Sequence, residues 1–179
     1  MRTIKIEDYT VGPTDSFVFD TNVWLFLFGP MANANSRKQR VYSSILSQIL
    51  SRGAGLYITS LIVAEYINRV LHIGFEQWKT EDRENRINAK FKESYRGTEH
   101  YTNTLESAKD QIDEILKCAK KQPDNFHILD MPSLLGDLNN QCDFNDAYIV
   151  QCCEKNGFKL VSDDQDMQTI NSRATLLTK

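Results

Sequence analysis

The chain has 179 residues, of which 41% are hydrophobic and 25% charged, enough apolar side chain for the core of one domain of ordinary size. Its net charge of −3 does not favour a protein that holds nucleic acid by bulk positive charge, although a site built from metal-bound carboxylates is acidic by nature. The densest apolar run, Val23 to Phe28, falls far short of the roughly 18 residues of a membrane helix. Arg2, Lys5, Glu7 and Asp8 leave no apolar leader at the N-terminus, so a cytoplasmic protein is expected.

Residues 1–16 are polar, end near Gly12-Pro13, and read as a lead-in. Phe17 to Phe19 is a short β-type run that stops at Asp20. Ser36-Arg37-Lys38-Gln39 has the pattern of a capping box. It opens a helix in which Val41, Ile45, Ile49 and Leu50 recur with helical period, closed by Gly53 and Gly55. Leu56 to Thr59 reads as a second strand, and Ser60 as the N-cap of a helix over about 61–73 that carries Glu65. Residues 74–125 are charged and helix-favouring, and predict two or three amphipathic helices broken near Gly97 and ended by Pro123. Phe126 to Leu129 reads as a third strand. A strong apolar helix over 144–156 ends at Asn156-Gly157. Lys159 to Val161 and Ala174 to Leu177 complete five strands. Alternation of strands and helices implies an α/β fold, one domain over 1–179 with a mainly parallel five-stranded sheet covered on both faces and a helical insertion at about 74–125. Cys118, Cys142, Cys152 and Cys153 form no C-x-x-C pair, and Cys152 and Cys153 read as small apolar residues of a buried helix.

In such sheets ligands bind beyond the carboxyl ends of the strands. Asp20 ends the first strand, and Glu65 lies in the first turns of the helix after the second. Asp143 and Asp146 open the helix before the fourth, on one face. Asp163, Asp164 and Asp166 follow the fourth strand directly. Four segments therefore deliver carboxylates to one sheet edge. Oxygen-only donors suit hard ions, Mg²⁺ or Mn²⁺. Two such ions can activate a water and stabilise a leaving oxygen in phosphodiester hydrolysis. Each acid also has a plainer reading: Asp143 as an N-cap, Asp163 to Asp166 as a polar loop. Asp20 and Glu65 sit among apolar neighbours, where a lone carboxylate is costly unless paired or metal-bound.

These residues resemble the PIN-domain family. Phe17-Val18-Phe19-Asp20-Thr21-Asn22-Val23 resembles its opening strand and D-T-N turn, and Ser60 to Tyr66 the helix that carries its glutamate, here Glu65. Asp146-Ala147-Tyr148-Ile149-Val150 resembles its D-A-x-I helix. Leu160 to Met167 resembles its L-V-T-x-D-x-D-F segment, with Ser162 for Thr and Met167 for Phe. The resemblance covers roughly 17–73 and 126–178. It implies a three-layer α/β/α fold, often dimeric, and an Mg²⁺- or Mn²⁺-dependent ribonuclease. Asp20, Asp146 and Asp164 would hold metal, Glu65 would complete the shell or orient the attacking water, and Asn22 and Ser162 would hydrogen-bond the carboxylates. Asp143, Asp163 and Asp166 are secondary acids. The resemblance also admits a type II toxin of the VapC kind with an antitoxin protein as partner, although such small toxins are usually shorter at 74–125. The alternative is a catalytically inactive PIN-like module that binds RNA or protein. A haloacid-dehalogenase-type phosphatase needs a second Asp two residues after the first, where this chain has Asn22.

For RNA contacts, Arg37, Lys38 and Arg40 are the better-placed basic group. Lys79, Arg83, Arg86 and Lys90 also recur at helical spacing, but Glu81, Asp82 and Glu84 interrupt them, which favours a solvated face. Trp24 and Trp78 could stack bases, with Trp24 expected in the core. His72, His100 and His127 are isolated, and none is expected to be catalytic.

Overall fold

Phe17, Val18 and Phe19 have no solvent exposure, because their strand β2 (Ser16–Phe19) lies between two neighbours in the sheet. The computed structural model describes residues 1–32, 35–164 and 166–179; Gln165, placed by sequence in the acidic loop, lies outside them. The other strands are β1 (Arg2–Lys5), β3 (Gly55–Ile58), β4 (Lys120–Lys121), β5 (Lys159–Val161) and β6 (Thr175–Thr178). Their order is β1-β6-β5-β2-β3-β4, and every pairing is parallel. Helices flank this sheet in the three-layer α/β/α arrangement: α1 (Thr21–Leu27), α2 (Ser36–Arg52), α3 (Ser60–Glu81), α4 (Arg83–Arg86), α5 (Glu99–Cys118), α6 (Met131–Asp137) and α7 (Phe144–Asn156). No helix among the described residues is long and apolar enough to cross a membrane.

The sheet has six strands rather than five, and its two edges differ from the sequence expectation. Residues 2–5, read as part of a lead-in, form β1 against β6, with Arg2 beside Thr175 and Lys5 beside Thr178. Its polar, mostly exposed side chains hid it. At the other edge, Phe126 to Leu129 is no strand. Asp124 accepts a hydrogen bond from the Phe126 N–H at 2.9 Å, and the chain curls into a 3₁₀ turn, Phe126–Ile128. The edge position falls to Lys120 and Lys121, paired with Tyr57 and Ile58. Such a short, charged edge offers little template for another strand.

Local signals set the helix ends. Asn35, one residue before the expected capping box, accepts from the Lys38 N–H, and Thr59, one residue before Ser60, accepts from the Ile62 N–H. Gly53 and Gly157 close α2 and α7 with φ of 70° and 67°, the left-handed conformation in which glycine carries no Cβ penalty. Trp24, Cys152 and Cys153 are buried, and the four cysteines are free thiols.

The insertion grows from α3 itself, which continues to Glu81 instead of ending near Ile73. A one-turn π-helix, Phe91–Tyr95, then feeds α5, which packs along α3. An aromatic cluster joins them: Tyr95 is fully buried, with Phe75 at 5.4 Å, Trp78 at 5.4 Å and Tyr101 at 5.5 Å between ring centroids. The helices meet at Gly74. A Cβ there would stand 2.7 Å from Thr104 Cγ2 and 2.8 Å from the Tyr95 hydroxyl. Neither can retreat freely, since Tyr95 is enclosed and its hydroxyl also bonds His100 Nδ1 at 2.9 Å. In Gly74→Ala the helix-propensity gain of about 1 kcal/mol is outweighed by overpacking of ~1–3 kcal/mol. The expected result in urea denaturation is a lower midpoint with an unchanged slope; a raised midpoint would show that the contact has slack.

Candidate carboxylate site

The strand order reverses direction at the β2–β5 pair, and the crevice beyond the carboxyl ends of strands at such a point is where α/β sheets place ligands. Asp20 stands there. Its N–H still belongs to the sheet, bonding Val161 O at 2.9 Å, while its side chain caps α1, accepting from the Thr21 N–H at 2.7 Å. Only 4% of Asp20 is exposed. Its second oxygen accepts from the Ser162 hydroxyl at 3.0 Å. The same Ser162 oxygen accepts from the Asp164 N–H at 3.0 Å, and Asp164 Oδ1 accepts from the Asp166 N–H at 2.8 Å. One chain of hydrogen bonds thus runs from the end of β2 through the loop after β5.

Glu65 is brought in by α3, where it is partly buried. It accepts from the Thr21 hydroxyl at 2.9 Å. Thr21 therefore serves both acids, one through its backbone and one through its side chain. The bond that sequence assigned to Asn22 comes from this neighbour. Asp146 arrives on α7, whose N-terminus reaches the same edge because the helix runs back before β5. It forms a reciprocal capping box with Asp143: the Asp146 N–H bonds Asp143 Oδ1 at 3.0 Å, and the Asp143 N–H bonds Asp146 Oδ2 at 3.3 Å. Asp143 is thus the N-cap of α7.

The acids feel one another. The Asp20 carboxyl is raised to about 7, by burial first and then by the charges of Glu65 and Asp146, with the Ser162 and Thr21 bonds opposing the shift. Burial, with Asp143, Asp164 and Glu65 nearby, raises Asp146 to about 6. Among the described residues no three such side chains stand close enough to enclose an ion. The donor set itself suits a hard divalent cation. It is all carboxylate oxygen, each carboxylate accepts few of the bonds its lone pairs allow, and the charged neighbours acting on buried Asp20 are negative.

Asp163 stands apart from the set. Lys38 pairs with its Oδ2, and the Tyr42 hydroxyl donates to its Oδ1 at 2.8 Å. Lys38 and Tyr42 are four apart on α2, so one helix face holds the residue before Asp164. Lys38 also lies over the Phe26 ring at 5.2 Å. Sequence reading gave Lys38 to RNA and left Tyr42 unnoticed; only the spacing of four could have suggested a shared partner. Arg37 and Arg40 are exposed and line a pocket with Ile6 and Glu7. The stripe of Lys79, Arg83, Arg86 and Lys90 does not lie on one helix, since α3 ends at Glu81 and α4 begins at Arg83. Lys79 pairs with Glu76 at 3.6 Å and Lys90 with Glu93 at 3.2 Å. Arg86 stacks over Trp78 at 4.2 Å, which also removes Trp78 as an open platform.

A parallel α/β sheet with carboxylates gathered at its switch point defines a class of acidic-site α/β proteins. Within that class the PIN domain model matches residues 17–172, and the chain belongs to the PIN-domain family. PIN domains are generally nucleases. No curated protein matches the chain.

A carboxyl group with a raised folded-state pKa favours folding while protonated and loses that contribution as pH rises. For Asp20 the loss falls between ~4, the unfolded value, and about 7. The metal-free protein should therefore lose stability as pH rises through this window. A cation replacing the protons gains what the protons lose, so Mn²⁺ should raise the melting temperature more at pH 8 than at pH 6. Melting curves with Mn²⁺ and with EDTA at both pH values check this; an increment independent of pH contradicts it.

Proposed function

We propose that the chain is an Mg²⁺- or Mn²⁺-dependent endoribonuclease, with Asp20, Glu65, Asp146 and Asp164 as its metal-holding carboxylates. The observation that carries this reading is the burial of Asp20 at the switch point with Glu65 and Asp146 acting on it. An arrangement that keeps like charges together in a poorly solvated place is costly, and it makes sense where a cation is to be held. Bound there, divalent ions would lower the pKa of the attacking water and offset charge on the leaving oxygen.

The protein's own groups divide the remaining work. Ser162 and the Thr21 N–H fix the Asp20 carboxylate. The Thr21 hydroxyl fixes Glu65, which is placed to orient the water. Asp143 sets the α7 terminus and thereby Asp146. Lys38 and Tyr42 hold Asp163, so that Asp164 alone of the vicinal pair faces the centre.

Labelled RNA incubated with Mn²⁺ should be cut by the wild-type chain and about 100-fold or more slower by Asp20→Asn, the scale expected when a charged group is lost from a reacting centre. Equal cleavage by both proteins would end this assignment. Ser162→Ala should retain the fold but weaken Mn²⁺ binding by ~10–100-fold, the range for removal of a group that orients a ligand. Calorimetric titration measures it, and an unchanged affinity would leave Ser162 a purely structural role.

A further inference from the structure

Two adjoining pockets form a trough along α3, and Glu65 of the carboxylate site lines it. Glu65 forms its inner end. One turn further on, Asn68 and Arg69 line the same pocket, His72 follows, and Asn145 of α7 closes the opposite wall beside Asp146. A second pocket shares Arg69 and His72 and continues to Gln77 and Thr80. From Glu65 to His72 the helix rises seven residues, on the order of 10 Å. Arg69 and His72 are exposed. The Arg69 guanidinium enters no ion pair among the described residues. Glu76, the other acid of the trough, is paired with Lys79.

A phosphodiester approaching Asp20, Glu65 and Asp146 is repelled unless positive charge flanks its path. Arg69 is the cation on the same helix face as Glu65, and its planar fork matches two oxygens of one phosphate. Asn68 and Asn145 offer amide donors on either wall. The His72 ring lies against Phe91 at 4.4 Å with an interplanar angle of 19°. It is thereby held at a fixed tilt with its outer side open, a platform on which an unpaired base can stack.

We propose that this trough is the track for single-stranded RNA leaving the carboxylate site: Arg69 binds the phosphate next to the scissile one, Asn68 and Asn145 hydrogen-bond the backbone, and His72 stacks the following base. The proposal rests on reading the four carboxylates as the cleavage centre, and its test separates the two. The probe is a fluorescein-labelled single-stranded RNA oligonucleotide, followed by anisotropy in Ca²⁺, which shares the preference for hard oxygen donors, over a series of salt concentrations. Arg69→Glu should raise Kd by about tenfold, the scale of one charge-assisted contact. The plot of log affinity against log salt should become shallower by about 0.7, the value for one phosphate of a single strand. Arg69→Gln, which keeps the side-chain stem, should show the same flattening, and melting curves confirm that both variants fold. Lys109→Glu, a reversal on α5 at a residue paired with Glu106, should change neither quantity. The track is overturned if the wild-type chain does not bind the oligonucleotide, if both Arg69 variants bind as it does, or if Lys109→Glu loses as much as Arg69→Glu. Arg69-dependent binding by a wild-type chain that cuts no RNA in Mn²⁺ keeps the track and removes the cleavage assignment.

Discussion

The hydroxyl of Ser162 holds two things at once: it donates to Asp20 at the end of β2 and accepts from the Asp164 N–H in the loop after β5. Because β2 and β5 are adjacent and parallel, with Val18 beside Leu160 and Phe19 beside Val161, a single buried oxygen suffices to couple their ends. The bond also answers a local difficulty. Asp20 is too deep to be solvated, and its neighbours Glu65 and Asp146 are of its own charge. Without the donors Ser162 and Thr21 its charged form would be less favoured still. The rest of the site is arranged round this point: α1 starts on Asp20, Glu65 is reached through Thr21, and the 3₁₀ turn at Asp166 starts on Asp164.

The two vicinal aspartates of the loop show how the fold assigns different roles to identical side chains. Asp163 is turned to α2, where an ammonium group and a phenol satisfy it. Among the described residues Asp164 has backbone and hydroxyl partners, the Asp166 N–H and the Ser162 hydroxyl. Neutralising one acid of the pair lowers the repulsion borne by the other, and it ties the loop to a helix that does not itself supply an acid. Lys38 thereby has its charge engaged by the loop it holds.

Much of the centre could be read from sequence because its signals are local and mutually consistent. Phe17-Val18-Phe19 stops at an acid, Asp143 stands where it can cap α7, and glycines close α2 and α7, while the caps of α2 and α3 fall one residue before the Ser36 and Ser60 that the pattern suggests. The convergence of Asp20, Glu65, Asp146 and Asp164 followed from placing strand ends at one edge. What escaped were features fixed by pairing partners distant in sequence. Arg2–Lys5 carries no apolar alternation, and only β6 makes it a strand. Phe126 to Ile128 has strand-like composition, but Asp124 captures its first N–H and leaves Phe126 and Ile128 exposed. Thr21 was overlooked beside Asn22 because a hydroxyl in a D-T-N turn gives no hint of which way it points.

The insertion and the centre share one helix, and this links their stabilities. The face of α3 that carries Val70 and Gly74 packs on α5, with Tyr66 bonding Gln111 at 2.8 Å and Gly74 closed by Thr104. The face that carries Glu65 turns to the carboxylates. A helix of 22 residues draws most of its stability from tertiary packing of its apolar face. The aromatic packing around Tyr95 supplies cover for its second half. The helical segment between Arg83 and Cys118 therefore bears on the site by packing along the same helix that carries Glu65, Asn68, Arg69 and His72.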